Sequence, residues 1–260
     1  MRRHPQRACL LMLAATLVWP CAAQADTGYY LVSTYDVAGQ TSIDYKYWNA
    51  RYSDGTVASP ELGVGYGVTS RWYTEVYVQW LRVGNGAGKM VETAWQNDYM
   101  LTQGQYPFDL ALHTKVAKGH DAAGGYSAEW GPVLQTEIGR TQFNANLFFQ
   151  RRYGQTGQTA QAAQTGQVPP RGVELTYQLQ VKQHWKPWFQ PGIQAFGEVG
   201  QWNDWLPSRQ QSHRAGPMIY GHRDIGAGGE REVKYELAYL FGKNTGRAAR
   251  SFSLRVQLIF

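Results

Sequence analysis

At 260 residues, 43% hydrophobic and 14% aromatic, the chain can form one large domain or two ordinary ones and is too apolar to be disordered. Its formal charge of +6 shrinks once a leader is set aside: removing Arg2, Arg3 and Arg7 leaves 22 basic against 19 acidic residues, or +3. That small surplus on an exported chain excludes nucleic acid as the expected partner.

Residues 1–25 read as a secretory signal peptide. Arg2, Arg3 and Arg7 form its basic start, Ala8 to Val18 its apolar run, and Ala23-Gln24-Ala25 a small-x-small cleavage site. Both cysteines, Cys9 and Cys21, fall inside it, so the exported chain is expected to have no disulfide framework. Beyond it no stretch approaches the roughly 18 apolar residues of a transmembrane helix. Residues 26–40 contain "GYYLVSTYDV", Gly28 to Val37, which has strand composition. It is expected to be a periplasmic or lumen segment outside the main sheet; counting it as a strand is the alternative.

From residue 41 to the end, apolar and polar side chains alternate with period two. In "TQFNANLFFQRRY", Phe143, Ala145, Leu147 and Phe149 oppose Gln142, Asn144, Asn146, Gln150 and Arg152. In "GVELTYQLQVKQHW", Leu175, Tyr177, Leu179 and Val181 oppose Glu174, Gln178, Gln180, Lys182 and His184. "REVKYELAYLFG" and the terminal "SFSLRVQLIF" repeat the pattern, the latter up to Phe260. A helix would scatter these residues around its circumference. Strands are predicted near 41–52, 60–68, 71–83, 91–102, 107–118, 125–138, 141–153, 172–184, 188–201, 213–225, 231–242 and 250–260. They are longer than soluble strands usually are and suit a tilted membrane crossing. The connections are expected to alternate long and short, from "SDGTVASP" then "TS" to a closing "KNTGRAA", as in a membrane barrel with short turns on one side. The longest, "QTGQTAQAAQTGQVPP", reads as a solvated tract or a surface or pore loop.

The polar face carries Asp44, Glu75, Asp98, Asp109, Glu129, Glu137, Glu174, Glu198 and Glu236 among Lys46, Lys115, Arg152, Lys182, Lys234 and Arg255. Twelve strands enclose more space than side chains alone fill comfortably. If the apolar face meets lipid, these charges lie in a wet lumen. Trp72, Trp185 and Trp188 then fall by short turns, and Trp80, Trp202 and Trp205 near long loops, as interface aromatics do. With these features, and a last strand ending "LRVQLIF", the chain resembles the Gram-negative outer-membrane β-barrel class over about residues 41–260. The resemblance implies that the last strand closes on the first. It also implies that Phe260 is part of a signal for the barrel-assembly machinery, and that outer-membrane lipid and lipopolysaccharide are neighbours.

Chemistry is sparse. Ser212 and His213 are adjacent on a strand, so they point to opposite faces and cannot share a proton. No two histidines stand at a ligand spacing, and no cofactor or metal is implied. Gly63, Gly65 and Gly67 alternate on the polar face, where they leave space for Tyr73 and Tyr77 rather than forming a phosphate loop. The cations of the C-terminal third either form an anion-attracting track, as in barrels that resemble channels for acidic oligosaccharides, or pair with Asp224, Glu232 and Glu236 and touch lipopolysaccharide through Arg247 and Arg250. The expectation is an all-β, transmembrane, antiparallel up-and-down barrel of about twelve strands, porin-like, passing small hydrophilic solutes. Glu75, Lys115, Glu129, Arg152, Lys182, Glu198, Glu236 and Arg255 would set its selectivity. A closed-lumen structural or surface-binding barrel is the alternative, and an outer-membrane lipid-modifying enzyme the third reading.

Overall fold

The computed structural model describes residues 29–34, 38–120, 124–154, 172–226, 228 and 230–260. The predicted signal peptide and the Gln-rich tract lie outside them. The strands are β1 (Thr41–Tyr52), β2 (Gly55–Thr69), β3 (Trp72–Val83), β4 (Lys89–Met100), β5 (Phe108–Gly119), β6 (Tyr126–Ile138), β7 (Thr141–Tyr153), β8 (Val173–Gln183), β9 (Gln190–Gln201), the two-residue β10 (Asp204–Trp205), β11 (Ser212–Ile225), β12 (Arg231–Asn244) and β13 (Arg247–Ile259). All pairings are antiparallel; β10 folds back on the end of β9, and β13 pairs with β1 to close a barrel of twelve strands. At the seam, Thr41 and Phe260 exchange backbone hydrogen bonds of 2.8 and 2.9 Å. Closure leaves no long unpaired edge, which hydrocarbon would penalise.

The faces are oriented as the alternation requires. Ile43, Leu62, Val76, Val116, Leu179 and Ile193 are exposed on the outside, while Asp44, Glu75, Gln96, Lys115, Gln178 and Gln194 are buried within. Four prolines, Pro60, Pro132, Pro191 and Pro217, sit inside strands without breaking them. Pro60, Pro132 and Pro217 each fall where the ladder to one neighbour is interrupted: β2–β3 pairing passes from Ala58↔Arg82 to Glu61↔Gln79, β6–β7 from Trp130↔Phe149 to Val133↔Asn146, and β11–β12 from Ala215↔Phe241 to Met218↔Ala238. A residue with no N–H is tolerated where no bond is demanded of it. At the first gap, Ser59 Oγ donates to the Trp80 carbonyl at 2.8 Å instead.

The expected alternation of long and short connections is corrected. β2 begins at Gly55, so the first "long" loop is the two-residue turn Ser53-Asp54, and the last is Thr245-Gly246. Thr245 and Gly246 have φ of 49° and 75°, the double left-handed conformation that lets a two-residue hairpin follow the strand twist. At the opposite end the turn over 101–107 is longer than predicted. The glycine reading matches the geometry. Gly63 pairs with Tyr77 and Gly65 with Glu75, and a Cβ at Gly65 would overlap the Tyr73 hydroxyl and Ser42 Oγ, which lie 3.0 Å apart. Gly65→Val should therefore displace Tyr73 and cost about 1–3 kcal/mol of stability. Urea unfolding of the reconstituted barrel measures this; an unchanged midpoint would refute the steric role.

Candidate functional site

The barrel interior gathers a set of ionisable residues, and the strands bring most of them into pairs. Arg255 on β13 reaches Asp44 on β1 at 2.5 Å, and Lys46 lies 3.7 Å from Asp44 and 3.1 Å from Glu75 on β3. His113 on β5 bridges two acids, with Nδ1 2.6 Å from Asp98 and Nε2 3.4 Å from Glu129; Lys115 lies 3.4 Å from Glu129 as well. Arg152 pairs with Glu174 at 3.0 Å and Arg214 with Glu198 at 2.7 Å, both nearer the long-loop end. Glu236 accepts a hydrogen bond from Gln180 at 3.3 Å. Apart from Glu236, these charges each stand beside an opposite one, and leaving a buried partner uncompensated would cost about 3–5 kcal/mol.

The second feature is a stretch of chain inside the barrel. Residues 29–34 form no strand, and Tyr29, Tyr30, Leu31 and Thr34 are buried. Tyr29 stacks on Trp48 with ring centroids 4.2 Å apart and planes 9° from parallel. The Arg214 guanidinium lies 4.4 Å from its ring centre, and Asn244 donates to its hydroxyl at 3.2 Å. Further along, the Val32 N–H donates to Gln178 Oε1 at 3.0 Å, and Asn146 donates to the Val32 carbonyl at 2.8 Å. Arg255 donates to the Leu31 carbonyl at 3.4 Å, and Thr34 donates to Gln135 at 3.5 Å. The segment thus runs from the long-loop end toward the short-turn end and contacts β1, β6, β7, β8, β11, β12 and β13.

This alters the picture of a wholly polar lumen. Tyr29 and Tyr30 pack into an apolar cluster with the inward-facing Trp48, Ala50, Val57, Phe196, Met218, Ala238 and Leu240, and Val32 packs against another containing Met100, Val133 and Phe148. Below the segment, at the short-turn end, lies a cavity of about 510 Å³, lined among others by Leu31, Ser33, Lys182, Gln190, Tyr220, Glu236 and Arg255. Beside the segment a smaller cavity of about 50 Å³ touches Tyr30, Lys46 and Glu61.

All eight lumen candidates from the sequence, Glu75, Lys115, Glu129, Arg152, Lys182, Glu198, Glu236 and Arg255, stand on inward positions of their strands. They divide between the mid-barrel pairs, the long-loop end and the cavity. Of the aromatics, Trp72, Trp185, Trp188 and Trp202 are exposed and Trp80 is half-buried, near strand ends or in the connections. Ser212 and His213 do not meet: Ser212 donates inward to Glu198 at 3.0 Å, while outward-facing His213 lies 3.0 Å from the Tyr177 hydroxyl. Tyr29, Trp48 and Met218 were not singled out by sequence; the signal available was an aromatic or apolar residue on an otherwise polar face.

No known family profile matches the chain, and no curated protein does. Solved structures do. An outer-membrane channel from Pseudomonas putida F1 aligns with a TM-score of 0.61 at 9% identity, covering 88% of this chain and 98% of that one. The NanC porin aligns at 0.57 and 13% identity, covering 82% and 98%, and the KdgM porin at 0.50 and 11%, covering 83% and 97%. The architecture, with its closed antiparallel ladder, apolar exterior and charged interior, is that of an outer-membrane β-barrel.

Proposed function

We propose that the protein resides in the outer membrane of a Gram-negative cell as a passive channel for small hydrophilic solutes, and that residues 29–34 are its internal gate. The observation that carries this reading is the join of a polar cavity of about 510 Å³ with an internal segment held by hydrogen bonds and aromatic stacking rather than by the strand ladder. The fold of proteins named porins and channels supports it. The mid-barrel charges, Glu75 and Arg255 with Lys46 and Asp44 and Glu129 with Lys115, would set the field met by a solute once the segment moves aside. Single-channel recording in planar bilayers tests this: brief or rare openings are expected from the full-length barrel.

The closed-scaffold reading is favoured by the mid-barrel ion pairs, and it differs in outcome. A scaffold carries no current even with the segment removed.

Assembly gives a separate test. Phe260 closes the seam through reciprocal bonds with Thr41. Deleting Phe260 should lower the amount of heat-modifiable barrel recovered from outer membranes while leaving refolding in detergent largely intact; equal membrane yields would remove Phe260 from any recognition role.

A further inference from the structure

We infer that the lumen wall formed by β6, β7 and β8 is a binding groove for short oligopeptides, and that residues 29–34 are its tethered occupant. This rests on the gate reading and names the class of solute that displaces the gate. Inside the barrel the segment lies as a peptide ligand would, its backbone held by side chains rather than by a strand. Asn146 and Gln178 stand directly opposite each other on β7 and β8, 3% and 1% exposed, and Asn146 donates to Gln178 Oε1 at 2.9 Å. The joined amides offer Val32 an acceptor at 3.0 Å for its N–H and a donor at 2.8 Å for its carbonyl. Those are the two groups that a neighbouring strand offers a bound peptide.

The chemistry of the wall selects the class. A carboxylate or a phosphate only accepts hydrogen bonds and has nothing to give Gln178 Oε1, whereas a peptide unit both donates and accepts. Gln135, Gln142, Asn144 and Gln180 continue the amide surface over the same three strands, and all are buried. Gln135 accepts from Thr34 at 3.5 Å, and Arg255 on β13 donates to the Leu31 carbonyl at 3.4 Å. Two side chains of the segment have seats of their own. Tyr29 meets the Trp48 ring at 4.2 Å and the Arg214 guanidinium at 4.4 Å, and Val32 packs against Met100, Val133 and Phe148. A neutral oligosaccharide matches the amides but fills neither seat.

Calorimetric titration of the barrel in detergent tests this without any current. The probes are the acetylated and amidated hexapeptide Tyr-Tyr-Leu-Val-Ser-Thr, the same peptide N-methylated at its valine, and maltotriose. The plain peptide should bind the full-length protein, and should bind Tyr29→Ala more tightly because the tethered competitor is weakened. N-methylation removes the donor to Gln178 and should weaken binding by about ten- to a hundredfold, the loss expected when a buried acceptor goes unmet. In Gln178→Ala the two peptides should bind alike. Heat-modifiable gel mobility verifies that each variant is folded. No peptide binding by the full-length protein, equal affinity for it and for Tyr29→Ala, indifference to N-methylation, or maltotriose binding as tightly would each overturn the groove. A barrel that conducts once residues 29–34 are deleted, yet binds no peptide, would keep the gate and remove the groove.

Discussion

A barrel lacking residues 29–34 is expected to carry steady ionic current in planar bilayers, where the full-length protein gives at most brief openings. The segment fills the interior between the paired charges and the apolar cluster, and it is held there only marginally. Burying Tyr29, Tyr30 and Leu31 contributes about 1.5–3 kcal/mol each, and half-buried Val32 about half as much. Fixing the backbone of residues 29–34 costs about 1–2 kcal/mol per residue. The sums are roughly 5–10 and 6–12 kcal/mol, so the two cancel to within a few kcal/mol. The balance then rests on the Val32 contacts with Gln178 and Asn146 and on the Tyr29–Trp48 stack. Tyr29→Ala, which leaves the chain length unchanged, should raise the open fraction as well. Deletion and point variant both electrically silent, in protein that runs as a compact band before boiling, would rule out the gate and leave the closed scaffold.

The second large effect concerns the lipid face. Leu179 lies at the middle of β8, 45% exposed, beside Ala145 and Ala195 on the flanking strands. Leu179→Arg should destabilise the barrel in phospholipid vesicles by about 2–4 kcal/mol, because a guanidinium is forced into hydrocarbon. Ile138 is 70% exposed but stands at the end of β6, so Ile138→Arg should cost only about 0–1 kcal/mol. Guanidine titrations followed by tryptophan fluorescence measure both. Equal costs at the two depths would mean that the outer face does not meet a bilayer.

The strands were legible because period-two alternation survives wherever one face is oily and the other wet, and most predicted ends fall within a few residues of those found. The early start of β2 was not legible: Asp54-Gly55 and Pro60 look like a loop, and only the interrupted β2–β3 ladder shows how the proline is accommodated. The charged lumen was readable residue by residue, yet the identity of the pairs was not. Arg255 meets Asp44 across the seam, 211 positions earlier, and no local spacing encodes that contact. The internal segment was half visible. Its composition is that of a strand, and its partners Trp48, Phe196, Met218 and Leu240 stand on polar faces where an apolar side chain needs company. The tract over 155–171 lies outside the described residues.

The same seam has a consequence for how the sheet finds its register. In the closed arrangement Arg255 stands directly opposite Lys46, an unfavourable cross-strand match that Asp44 and Glu75 offset from adjacent inward positions. Sliding β13 by one residue would swing Arg255 into the bilayer and turn Phe260 toward water. Charge at the two joining edges thus acts as a latch that fits one alignment, so zipping the cylinder shut and neutralising its interior become a single event.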